Sequence, residues 1–126
     1  MASKRFTEDT HQEALIKWAD ISASESFPTN LLHSIPMGGF RNPREGARLK
    51  AQGARKGMLD LSLPCARGGY HGLYIELKRP VVKGEPKPVV SPEQKYWIEQ
   101  LRKQGYLVEV CYGWIEAKEL IERYLG

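Results

Sequence analysis

Apolar positions recur along this chain with two different periods, and the switches between them mark the predicted elements. Over residues 7–21, TEDTHQEALIKWADI, the residues Ala14, Leu15 and Trp18 share one helical face. Thr7 is the predicted N-cap, with acidic residues in the first turn. LLHSI (31–35) reads as a short strand. The Gly-, Pro- and Arg-rich stretch MGGFRNPREG (37–46) reads as a connection, leading into a short helix that stops at Gly53. MLDLSL (58–63) and GLYIELKR (72–79) follow a period of two around a Gly68-Gly69 turn, which predicts a β-hairpin. The Pro-rich segment 80–90 is expected to be a mobile loop. SPEQKYWIEQLRKQG (91–105) carries Ser91 as N-cap, Pro92 at N1, Gln94 closing a capping box and Gly105 as a stop. YLVEVCY (106–112) predicts a strand, and WIEAKELIERYL (114–125) an amphipathic terminal helix.

The order α-β-α-β-β-α-β-α predicts an α/β protein: a mixed central sheet, antiparallel at the hairpin, flanked by helices. At 126 residues, without internal repeats, the chain is expected to be one domain spanning 1–126. No apolar run is long enough to span a membrane, and residues 1–13 lack the apolar segment of a signal peptide. Cys65 and Cys111 have no partners at zinc-type spacing, which predicts reduced, packed thiols and a cytoplasmic location (host cytoplasm if viral). A net charge of +4 favours a polyanionic partner without identifying one.

The chemistry concentrates in the hairpin. Glu76 and Lys78 stand two residues apart, so they project from one face of their strand while Leu77 points into apolar packing. Asp60, sixteen residues before Glu76, is placed to return beside them. Two converging carboxylates repel unless a cation lies between them. A hard divalent ion such as Mg²⁺ needs only one or two carboxylates besides water and substrate phosphate. Lys78 would then serve as a point charge near the scissile phosphate. An isolated Glu-x-Lys on a strand is ordinarily a surface ion pair, so the surrounding motifs decide the reading.

Those motifs run through most of the chain: Glu8-x-x-x-Gln12, Ile35-Pro36-Met37-Gly38-Gly39 with Arg41, Gln52-Gly53-x-x-Lys56-Gly57-x-x-Asp60-Leu61, Tyr74-Ile75-Glu76-Leu77-Lys78, and Ser91-Pro92-Glu93-Gln94-x-x-Trp97. In this order and spacing they resemble the virus-type replication-repair nuclease (VRR-NUC) domain of the PD-(D/E)XK nuclease superfamily. The resemblance implies an αβββαβ core, Mg²⁺ or Mn²⁺ dependence, and hydrolysis of phosphodiester bonds in branched DNA such as Holliday junctions. It implies Glu8, Asp60, Glu76, Lys78 and Gln94 as the catalytic set. Asp60, Glu76, Glu8 and the backbone carbonyl of Leu77 are the implied metal ligands. Two positions depart from the pattern. Leu59 replaces the proline that names the superfamily, and Met37 stands where an asparagine is usual.

A helical wheel supports Glu8 over its neighbours. With Trp18 at 0°, Leu15 falls at about 60°, Glu8 at about 80° and His11 at about 20°, whereas Glu13 falls near 220°, facing water. Gln94 has two open readings, as a capping residue and as a site residue. Arg41, Arg44, Arg48, Lys50, Arg55 and Lys56, with Lys83 and Lys87 in the Pro-rich loop, are the expected DNA-backbone contacts. His11, His33 and His71 share no spacing that suits a metal. Trp97, Trp114 and the tyrosines of the last two helices are expected in the core. A homodimer is expected, because two symmetric cuts need two sites, with Trp114, Leu120 and Tyr124 as candidate interface residues. A catalytically weak DNA-binding module, an exonuclease and an RNA-directed nuclease of the same fold are the alternatives.

Overall fold

The computed structural model describes residues 4–36 and 43–126. In chain order the elements are α1 (Lys4–Ser22), a 3₁₀ turn (Thr29–Leu31), β1 (His33–Ser34), α2 (Pro43–Ala51), β2 (Leu61–Leu63), β3 (Leu73–Lys78), α3 (Pro92–Lys103), β4 (Leu107–Tyr112) and α4 (Trp114–Leu125). The sheet order is β1-β2-β3-β4, antiparallel for the first two pairings and parallel for β3 with β4. This is the expected α/β arrangement, with helices on both sides of a mixed sheet.

The alternation along β2 and β3 sorts residues between two cores. Leu61, Leu63, Leu73, Ile75 and Leu77 face α1 and α4, where they meet Leu15, Ala19, Ala117 and Ile121. On the other face, Tyr74 joins Leu59, Ile98 and Val108 under α3. Glu76 and Lys78 share the parity of Tyr74, so strand periodicity alone assigns them to the α3 side. Leu59, in the departing position, is fully buried beside Ile98 and Val108. Its side chain fills the core under α3.

Several element ends differ from expectation. α1 begins at Lys4, so Thr7 lies inside the helix and is not its N-cap, and no acidic residue occupies the first turn. α2 begins at Pro43, within the stretch read as a connection. Proline suits a first helical position, where its missing N–H leaves no bond unmade, and Glu45 pairs with Arg48 across the next turn. β2 begins at Leu61, leaving Asp60 just outside it. The Leu77 N–H, which a longer ladder would direct to the β2 backbone, goes instead to Asp60 Oδ2 at 2.8 Å. The side chain thereby ends the ladder.

Two assignments of the aromatic residues are also corrected. Tyr96 is 56% exposed, so it is not a core residue. Trp97 is half-buried and belongs to neither apolar cluster, with its indole N–H donated to the Lys56 carbonyl at 3.1 Å. Trp114 and Tyr124 do pack against the main core, and Leu120 lies within it. Leu120 is buried, whereas Trp114 and Tyr124 are half-buried. Cys65 and Cys111 are buried free thiols. No helix among the described residues is long and apolar enough to cross a membrane.

Candidate active site

The register Leu61↔Ile75, carried one residue further, sets Asp60 across from Glu76. Glu76 is buried to 2% exposure and Lys78 to 9%. Lys78 Nζ lies 3.1 Å from Glu76 Oε2 and donates to Gln94 Oε1 at 3.1 Å. The Gln94 side-chain amide donates to Glu76 Oε2 at 2.6 Å. The same Gln94 Oε1 accepts the Ser91 N–H at 2.9 Å, while Ser91 Oγ accepts the Gln94 N–H at 3.1 Å. The capping reading of Gln94 therefore holds, and the capping box aims the amide, which ties α3 to Glu76 and Lys78.

Gly57 makes this approach possible. Its backbone runs at φ +82°, against the start of α3, where a Cβ would stand 2.9 Å from the Gln94 nitrogen and closer still to Glu93. Any side chain would push the segment carrying Asp60 away from α3.

Electrostatics mark the cluster as strained without a cation. Burial, with Asp60 adding repulsion, pushes the Glu76 carboxyl up to about 8 against the pull of Lys78. Burial also raises Asp60, opposed by the Leu77 N–H and by Lys78. Glu8 is raised chiefly by burial, with Lys78 and the Arg79 backbone N–H acting in the opposite direction. The wheel placed Glu8 on this side, and the structure brings it within electrostatic reach of Asp60 and Lys78. Glu13 is exposed, as expected.

The donor chemistry suits a hard divalent ion. Glu76 Oε1 is buried and makes no hydrogen bond, an arrangement that is costly unless something binds it. The Lys78 carbonyl accepts the Gly113 N–H on the β4 side, so the backbone groups of Leu77 face the opposite way, toward Asp60. Among the described residues, no three Asp, Glu, His or Cys side chains are already grouped as a metal cluster. Two carboxylates are enough for Mg²⁺ when water and phosphate complete the shell.

The expected basic residues are dispersed around this centre. Arg41 and Met37 lie outside the described residues. Arg48 is paired with Glu45, and Lys56 Nζ lies 3.8 Å from Glu93. Arg44, Lys50 and Arg55 are exposed on α2 and the turn after it. Lys83 sits in an exposed turn closed by the Glu85 N–H and the Val82 carbonyl. Lys87 stands over the Tyr112 ring at 4.7 Å. The sequence reading missed Arg79, which is buried and donates to the Pro86 carbonyl at 3.1 Å. That bond folds the 80–90 segment back beside the site. A cation directly after Glu-x-Lys was the available signal.

A buried Asp–Glu–Lys cluster at a hairpin end, braced by a helix-borne glutamine, defines a nuclease-type α/β fold. The chain belongs to the VRR-NUC domain family, which matches it over residues 2–114. It is also similar to a solved VRR-NUC domain protein, with TM-score 0.78 and 32% identity, covering 94% of this chain and 87% of that one. No curated protein matches it.

Proposed function

We propose that this chain is a metal-dependent, structure-specific DNA endonuclease that acts on branched DNA such as Holliday junctions. The observation that carries the reading is the unpartnered, buried Glu76 Oε1, set across from Asp60 and beside Lys78. Asp60, Glu76 and the Leu77 carbonyl would hold Mg²⁺ or Mn²⁺, with Glu8 completing the set from α1. When bound, such an ion lowers the pKa of its water and polarises the scissile phosphate. Lys78 places a positive charge where the phosphate gains negative charge, and Gln94 keeps that amine from swinging into solvent. Glu8, approached by the Arg79 N–H, is placed to orient the attacking water. Arg44, Lys50, Arg55, Lys56 and Lys83 supply backbone phosphate contacts. A two-fold dimer would present two such sites to one junction.

Labelled junction, flap, duplex and single-stranded DNAs, incubated with Mg²⁺ or with EDTA, test this directly. Mg²⁺-dependent internal cuts in the junction, absent with EDTA, are expected. Cleavage unaffected by EDTA would overturn the metal assignment, and shortening only from free ends would make the enzyme an exonuclease.

A further inference from the structure

We propose that a basic groove between α2 and α3 seats an unpaired nucleotide of the DNA, stacked against Trp97. The proposal rests on the nuclease reading above and adds to it a means of selecting, among branched DNAs, those that carry unpaired nucleotides, as flaps do. The groove encloses about 420 Å³ and is lined by Lys50, Arg55, Lys56 and Trp97 together with Gly46 and Ala47. That volume lies within the ~300–1,000 Å³ of small-ligand sites.

Two features match this occupant. Lys50 and Arg55 form no ion pair among the described residues, so their charges are available to phosphates. The indole is fixed in orientation by its bond to the Lys56 carbonyl and by the Tyr96 ring, edge-on at 5.3 Å and 85°. A fixed aromatic surface beside free cations is the combination that holds single-stranded nucleic acid, because every base offers a π face. A base inside a duplex is already stacked and cannot use it.

The groove is also placed to matter. Trp97 follows Gln94 by three residues, so the two lie on one side of α3 about 4.5 Å apart along its axis. Gln94 in turn touches Glu76 and Lys78. A strand with an unpaired nucleotide in the groove would therefore carry a neighbouring phosphodiester toward the carboxylates. Structure preference would arise from Trp97, while hydrolysis stays with Asp60, Glu76 and Lys78.

Binding by fluorescence anisotropy in EDTA tests this, using 5′-flap, 3′-flap and blunt duplexes of equal length. Trp97→Leu is expected to lower the flap-to-duplex affinity ratio by about 10-fold or more, the scale of one lost base stack. Trp97→Phe keeps a π face and loses only the indole N–H, so it should retain most of the ratio. An unchanged ratio in Trp97→Leu would overturn the proposal. Equal damage from Leu and Phe would also overturn it, because the indole would then be structural. Cleavage assayed separately with Mg²⁺ tells the two readings apart. A ratio that falls in a protein that cuts no DNA sinks the nuclease reading alone. Normal cutting with an unmoved ratio sinks the groove alone.

Discussion

Glu76 and Leu77 are neighbours in β3 with the same 2% exposure, yet their burial has opposite consequences. Leu77 enters a dry core of leucines against α1 and α4 and stabilises the fold. Glu76 enters the α3 side, where burial and Asp60 force its carboxyl to hold a proton up to about pH 8. One strand thus carries a face that stabilises the fold and a face whose buried carboxyl costs stability. Strand periodicity makes that division possible, since adjacent residues meet different environments.

The sharpest way to break this comparison is to remove the carboxylates. Asp60→Ala and Glu76→Ala are each expected to abolish cleavage while DNA binding persists, because neither removes a phosphate-binding cation. Normal cleavage by either variant would sink the site. Lys78→Met should leave calorimetric Mn²⁺ binding in place and slow cleavage by ~10²-fold or more, the scale of one lost electrostatic stabiliser. Loss of metal binding would make the lysine structural instead.

Stability should separate the two neighbours next. Leu77→Ala is expected to cost about 2–5 kcal/mol at any pH, as buried leucines do. Glu76 should behave differently. Its folded pKa of about 8 lies above the ordinary 4.5, so the stability of its protonated form is full below about 4.5. That stability is lost as pH rises through about 8, on the order of a few kcal/mol without metal. Urea unfolding in EDTA at pH 5, 7 and 9 should show this decline, and Glu76→Gln should flatten it. A variant with the wild-type slope would assign the titration elsewhere.

The smallest effect concerns the helix cap. Ser91→Ala should cost ~1 kcal/mol. Gln94→Ala should cost a similar amount and also slow cleavage, since that side chain bonds to both Glu76 and Lys78. Equal cleavage by the two variants would show that Gln94 only caps.

The β4 edge bears on assembly. Arg102 donates to the Val108 carbonyl through Nε at 3.2 Å and Nη2 at 2.7 Å, and Glu116 Oε1 accepts the Tyr112 N–H at 3.2 Å. Both contacts occupy backbone groups that a second copy would need for strand addition. Strand addition at β4 is therefore not the route to the proposed dimer; Leu120 lies in the chain's own core, and Trp114 and Tyr124 pack half-buried against it.

What the sequence determined by itself depends on interactions that close within a few residues. The Ser91–Gln94 capping box, the ends of α3 and α4, and the common face of Glu76 and Lys78 follow from local geometry. The Glu8 side of α1 followed from helical phase for the same reason. Thr7 and the start of α2 were misjudged because several residues near a helix end can serve as its start. The tertiary structure alone decided which polar groups lose water. β2 begins only after Asp60 because a backbone N–H seventeen residues away claims the Asp60 side chain. Tyr96 faces solvent and Trp97 lines a groove, although both sit in one amphipathic helix. Burial is the sum of contacts from distant segments, and no local pattern contains that sum. The sequence could therefore name Glu76, but only the fold leaves one of its oxygens buried without a partner.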